Sequence, residues 1–365
     1  MAFNAAGFLT LGARDFLSDP LHGQDDKVRH ATQVLQDLTG KAEDTRGSIP
    51  RALALSIELG RETPLPGRGT TAVTWQLLAT LAATDLTLAR VVEPHLDALA
   101  ILDQAGIGVQ NGTWGVFAAE GPDVVLEASP LPDGTWTLTG TKPWCSLADH
   151  LDRAIVTAHV VGGGRQAFAV DLRASGVTAE TPDAWVSRGL PLVTSCAVRF
   201  EAVRATPVGG VGWYLHRDGF GWGGIGVAAC WFGGALGLAR TLLAAAQIRT
   251  PDQVALMHLG RVDSALYETR TLLTDAAAAI DAGLAAGQEG ALLAARIRAT
   301  AFRCAEVVLE ATAHGLGPAP LAFDEQHAAR VADLYLYLRQ HHAERDDAAL
   351  GRQVLELSQR EGTAW

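Results

Sequence analysis

Between Trp136 and Asp149 the chain carries Lys142-Pro143-Trp144-Cys145-Ser146, and within it Trp144-Cys145-Ser146 sets a broad aromatic ring two residues from a hydroxyl. Taken alone, the tripeptide reads equally as a strand end with a buried Trp or as an aromatic face and a hydroxyl offered to a ligand. Histidines are the other chemistry-bearing side chains. His341 and His342 stand in Arg339-Gln340-His341-His342-Ala343-Glu344-Arg345-Asp346, and His95 in Glu93-Pro94-His95-Leu96. A His that titrates near neutrality serves as an acid or base. At a helix end the same side chain simply suits the dipole, and His95 has the plainer alternative of a satisfied core histidine.

Other candidate motifs carry less. Gly219-Phe220-Gly221-Trp222-Gly223-Gly224 satisfies GxGxxG, but a dinucleotide site of that kind needs a preceding strand and an acidic residue about 20 positions on. No Asp or Glu falls between Asp218 and Asp252, so the stretch is expected to be a flexible glycine loop entering a helix. Cys145, Cys196, Cys230 and Cys304 are far apart with no CxxC; neither a disulfide framework nor a zinc site is indicated, and no metal is expected. A reducing, cytoplasmic setting is the expectation, since the start at Met1-Ala2-Phe3-Asn4 shows no basic segment followed by an apolar one.

The elements that must position these groups fall into three expected regions: helices over 1–110, a β-domain over 111–210 and a helical bundle over 211–365. Asp25–Leu38 has the i, i+3, i+4 spacing of an amphipathic helix. Pro64-Leu65-Pro66-Gly67-Arg68-Gly69 is a breaker, and Thr71–Asp103 reads as one or two apolar helices. Period-two alternation at Trp136–Gly140, Ala154–Ala158 and Ala197–Glu201, bounded by Gly, Pro and Asp turns, predicts short antiparallel strands. Ile225–Gln247, Val254–Ala286, Gln288–His314 and Asp324–His342 predict four packed helices.

The composition agrees with an ordered, core-rich protein, because 48% of the 365 residues are apolar and 19% charged. A net charge of −11 without a Lys/Arg cluster argues against a nucleic-acid partner. The uncharged run Gly219–Ala239 is too glycine-rich for a membrane span and reads as a loop feeding a buried helix.

The ordered pieces resemble the acyl-CoA dehydrogenase superfamily. In that family a strand ending in Gly-x-Lys leads to Trp-x-Ser/Thr, which lies against the flavin isoalloxazine with the hydroxyl donating to N5; Gly140-Thr141-Lys142 and Trp144-Cys145-Ser146 match. Upstream, Trp114-Gly115-Val116-Phe117-Ala118-Ala119-Glu120-Gly121 is similar to the strand that reaches the flavin pyrimidine and substrate. Downstream, Ser187–Pro207 resembles the following strand pair, Gly224–Ala246 the first bundle helix, and Leu309–Gly317 the turn that meets the flavin of a neighbouring subunit. The resemblance runs in order from about Thr71 to Asp346.

It implies an α+β fold with an N-terminal helical domain, a central antiparallel β-barrel or sandwich, and a C-terminal four-helix bundle. It also implies FAD as cofactor, a small-molecule substrate such as an acyl-CoA, and a dimer or tetramer, with no nucleic acid or membrane as partner. The implied cofactor contacts are Phe117, Ala118, Ala119, Trp144, Cys145, Ser146, Arg249, His314, Gly315 and Gly317.

The departures bear on mechanism. Ala119 takes the place of a Thr, the Gly-Ser-Asp that usually follows is missing, and the Arg-x-x-Phe-Gly that helps hold FAD pyrophosphate has shrunk to Arg249-Thr250-Pro251-Asp252-Gln253. The two positions where the family places its catalytic Glu fall near His341 and near Gly226 or Val227, neither a carboxylate. The expectation is therefore a flavin-dependent oxidoreductase without the usual Glu, with His341, His342 or His95 as catalytic candidates. Its alternatives are a flavin monooxygenase using a C-terminal His and a non-catalytic flavin-fold binding protein.

Overall fold

The computed structural model describes residues 40–180, 185–248 and 250–362; the helix expected at Asp25–Leu38 and the candidate Arg249 lie outside them. Among the described residues, a helical segment over 40–45 leads into three helices. α1 (Ile49–Glu62) starts at the N-cap Ser48 and buries Ala52, Leu53, Leu55 and Leu59 on one face. α2 (Thr71–Thr84) is apolar nearly all round and buried accordingly. Asp85 ends α2 and caps α3 (Leu86–Gln104), accepting from the Leu88 N–H, so Thr71–Asp103 is two helices with one residue between them.

Seven strands follow: β1 (Trp114–Phe117), β2 (Leu126–Pro130), β3 (Trp136–Ser146), β4 (Arg153–Val160), β5 (Arg165–Asp171), β6 (Val177–Ala179) and β7 (Ser195–Val208). The order is β1-β4-β2-β3-β7-β5, and β5 pairs back onto β4, so the pairings return on themselves. The expectation of purely antiparallel strands is corrected, because β4 pairs parallel to both β1 and β2. The chain leaves β1, runs out and back through the β2–β3 hairpin, and re-enters in its original direction. Apolar positions on β4 and β5, such as Ile155, Val156 and Phe168, are fully buried.

The remaining chain is helical: α4 (Trp213–His216), α5 (Asp218–Ile248), α6 (Gln253–Asp281), α7 (Gly287–Leu316), α8 (Ala319–Phe323), α9 (Glu325–Tyr337), a 3-10 turn at Leu338–Gln340, and α10 (Glu344–Glu361). Two readings of the sequence are corrected here. Gly219–Gly224 is the first two turns of α5 rather than a loop; tertiary packing overrides the poor helix propensity of glycine, with Gly221 against Ala294 and Gly224 against Arg298. And α10, packed on α7, was not foreseen, since its polar sequence has no buried residue to mark it.

α5 is long and apolar enough to cross a membrane, and two thirds of its most apolar window is buried inside the fold. It lies against α2, α3, α6 and α7. At Gly233 a Cβ would collide with the Ala79 carbonyl oxygen, and at Gly237 it would stand 2.9 Å from that of Ala83, so α2 and α5 meet backbone to backbone. The N-terminus of α2 is in turn closed by Asp281 at the end of α6, which accepts from the Gly69 and Thr71 N–H groups and the Thr71 hydroxyl. Helices before and after the sheet thereby share one core.

Candidate active site

The end of β3 is irregular where chemistry was expected. The β3–β7 register shifts between Lys142 and Cys145, and Trp144 sits in the left-handed region with φ 59°. A bulky residue there is strained, and such strain persists where the surroundings fix a side chain for use. Trp144 is 63% exposed, whereas Cys145 beside it is fully buried. Burial pushes the Cys145 thiol up, away from a reactive thiolate.

Ser146 is half-buried beside a small, partly open cleft. Arg90, Val91, Pro94, Trp114, Phe117 and Leu151 are among its walls. Arg90 Nη2 donates to Ser146 Oγ over 3.2 Å, and Ser146 Oγ lies 2.8 Å from Ser195 Oγ. With Arg90 on one lone pair, the Ser146 O–H is left to donate to Ser195 or to a bound molecule.

β1 is tied into place at both ends. The Trp114 N–H donates to His95 Nδ1 over 3.1 Å. Burial lowers His95 to about 4, so it is neutral and accepts. Beyond Phe117 and Ala118, Ala119 is exposed, and Glu120 bonds Lys142 at 2.7 Å, His159 at 3.0 Å and Arg165 at 3.1 Å. Burial opposes its ionisation, yet those donors win and hold Glu120 at about 2. Lys142 stands on β3 just ahead of Trp144, so this cluster fixes the two strands that line the cleft.

Behind Arg90 lies a buried polar chain that the sequence did not single out. Arg90 Nη1 is 3.5 Å from Glu93 Oε2, and the Tyr337 hydroxyl donates to the same oxygen over 3.4 Å. Burial raises Glu93 to about 7, with Arg90 opposing and Asp97 adding to the shift. A carboxyl poised there exchanges a proton near neutrality. The only sequence signal for it was the i, i+3 spacing of Arg90 and Glu93 on an otherwise apolar helix.

On the far side of Glu93 a second, partly open cavity lies between α2, α3 and the start of α5. Trp75, Leu78, Leu96, Trp222 and the loop Pro64-Leu65-Pro66 line it, with Glu93, Asp97 and Gln104 as polar walls.

The other residues singled out from the sequence lie elsewhere. His341 is buried, stacks on Phe302 with ring centroids 4.4 Å apart, and meets the edge of Trp231. Its Nδ1 accepts from the Ala343 N–H, and burial lowers its pKa. Trp231 and Tyr337 separate it from Glu93. His342 is exposed and bonds Asp346 at 3.2 Å. None of the three histidines is among the residues lining either cavity. His314, Gly315 and Gly317 sit at the far end of α7, where His314 faces His258 and Gly317 closes the helix. The 12 residues from Phe302 to His314 span about 18 Å of helix, so within one chain this turn stands apart from His341.

The residues at the cleft fit a flat heteroaromatic cofactor. Ser146 offers a hydroxyl donor and Phe117 an apolar wall, while Trp144, two residues along β3 and outside the lining itself, offers an exposed indole.

No family model and no curated protein matches the chain. Solved structures do. TdsC from Paenibacillus sp. A11-2, in complex with FMN and indole, aligns at TM-score 0.73 and 16% identity over 91% of this chain and 97% of that one. KijD3, in complex with FMN and a dTDP-linked amino keto sugar, aligns at 0.71 and 18%, over 95% and 96%. Butyryl-CoA dehydrogenase from Megasphaera elsdenii aligns at 0.74 and 18%, over 97% and 100%. Matched across nearly its whole length, this chain has the acyl-CoA dehydrogenase fold.

Proposed function

We propose that the chain is a flavin-dependent oxidoreductase whose isoalloxazine rests beside Trp144-Cys145-Ser146 and Phe117. The observation that carries this reading is the exposed Trp144, held at positive φ beside a hydroxyl that Arg90 orients. Bound flavin would supply two-electron redox chemistry. FAD is the nucleotide expected from the sequence, while the TdsC and KijD3 structures hold FMN.

In this reading Trp144 would cover a face of the bound ring, Ser146 would donate to its edge and Phe117 would exclude water. Arg90 holds the Ser146 oxygen, and Glu93, tied to Arg90 and Tyr337, moves the proton that accompanies substrate oxidation. Either a CH–CH dehydrogenation of an acyl thioester or an oxygen-using reaction is compatible with those roles. His341 is the alternative acid or base that the sequence offers. The β-region acts as a small barrel and the C-terminal helices as a bundle, with the His314–Gly317 turn serving the flavin of a second subunit in a dimer or tetramer.

The test starts with FMN and FAD titrations followed by visible absorbance. Micromolar binding of either supports the reading; no flavin retained after saturation and gel filtration overturns it. Anaerobic mixing with butyryl-CoA, and reduced flavin with oxygen and indole, then separate the two reactions. Bound flavin that no substrate reduces or consumes leaves the binding protein without catalysis.

A further inference from the structure

We propose that the cavity between α2, α3 and the start of α5 binds a small amine: a ring-sized apolar body carrying a protonated nitrogen. Calling that amine the substrate rests on the flavoenzyme reading; its binding rests on the cavity alone.

Glu93 and Asp97 are one turn apart on α3 and both line the cavity. Each has a cation nearby, but at long range. Arg90 is 3.5 Å from Glu93 and commits Nη2 to Ser146. Arg217 is 3.8 Å from Asp97 and commits Nη1 to Gln104. The contacts of Glu93 with Arg90 and Tyr337 both fall on Oε2, which leaves Oε1 for an occupant. No Lys, Arg or His is among the residues lining the cavity.

A second, independent feature points to a ligand. Thr63 also lines the cavity, is 8% exposed, and its hydroxyl oxygen has no hydrogen-bond partner. A buried hydroxyl without a partner is destabilising, and a ligand N–H would satisfy it.

The shape agrees. Gly219, Gly223 and Gly226 turn one face of α5 to the cavity, and a Cβ at Gly223 would come within 2.7 Å of Asp97 Oδ1. Their missing side chains keep the space beside the carboxyls open. Trp75 and Trp222 supply apolar walls and ring faces for a cation. A carboxylate or phosphate in this space would meet two acidic groups, and a plain acyl chain would offer nothing to their cavity-facing side.

Three probes of one size decide the matter. Benzylamine, benzyl alcohol and benzoate are titrated calorimetrically into the full-length protein with saturating FMN or FAD, and again without flavin. Benzylamine should bind at least tenfold more tightly than benzyl alcohol, and benzoate should not bind. Asp97→Asn and Glu93→Gln should each weaken benzylamine at least tenfold without weakening benzyl alcohol, with circular dichroism confirming the fold. Benzoate or benzyl alcohol binding as tightly as the amine, or no probe binding at all, overturns the assignment on the unaltered protein. Unchanged amine affinity in both folded variants does the same. Loss of flavin absorbance with intact amine binding would instead remove the flavoenzyme reading.

Discussion

Replacing Glu93 by Gln should change how stability depends on pH. The carboxyl is 8% exposed, with Arg90, Asp97, Tyr337 and Arg298 acting on it, and burial raises it from its ordinary 4.5 to about 7. Below pH 4.5 it is protonated in both folded and unfolded chains and costs nothing. Between 4.5 and 7 the unfolded chain ionises first, so stability falls as pH rises; above 7 the full loss is present. That loss is about 3 kcal/mol, at about 1.4 kcal/mol per pKa unit. Gln has no charge to lose, so the stability difference between variant and parent should swing by about 3 kcal/mol in favour of the variant from pH 4.5 to pH 8. For 365 residues, an unfolding entropy of about 2 cal/mol/K per residue turns this into a melting-temperature swing of about 4 °C. Differential scanning calorimetry of both proteins across that range is the assay. Parallel curves would refute the reasoning and mean that Glu93 is ionised throughout, held by Arg90.

Trp144→Ala should weaken flavin binding about tenfold by removing the stacking face, and Ser146→Ala about fivefold through one lost hydrogen bond; equal affinity in both, by absorbance titration, removes the ring from this site. His341→Ala should cost about 2–3 kcal/mol, since it empties the space on Phe302 and leaves the Ala343 N–H without its acceptor, whereas His342→Ala should stay within about 0.5 kcal/mol in urea unfolding. A drop of about 10²–10⁴ in flavin reduction or reoxidation in a stably folded His341→Ala protein would make that residue the acid or base instead. Gly233→Ala should lose about 3 kcal/mol in the same unfolding assay, because the collision with Ala79 outweighs the roughly 1 kcal/mol that Ala gains in helix propensity; a gain in stability would mean α2 and α5 do not touch there.

The order of helix, sheet and helix was legible because long apolar stripes and period-two runs dominate those segments. Parallel pairing of β4 was not, since it depends on where the β2–β3 hairpin returns the chain and no local residue encodes that. The Gly219–Gly224 stretch misled for a related reason: its glycines are there for the neighbours they admit, Ala294, Arg298 and the cavity, and a local rule sees only their flexibility. Trp144, Ser146 and Phe117 are candidates that a local motif supplies, but Glu93 is hidden inside an apolar helix, raised by burial and bonded to Tyr337, 244 positions away. The histidines attracted notice by type. Their surroundings, Phe302 for His341 and the Trp114 N–H for His95, are tertiary.

The backbone contact between α2 and α5 also bears on how the chain is made. Ala79 and Gly233 are 154 positions apart in the sequence, and at about 5–20 residues per second a ribosome delivers the second about 8–30 s after the first. The cap on α2 comes later still, with Asp281. Until then a helix whose every side is meant for burial has neither its partner nor its terminus closed. A nascent chain in that condition is a natural client for a holding chaperone, and slowing translation between the sheet and α5 should lower the yield of folded protein more than slowing it after Asp281.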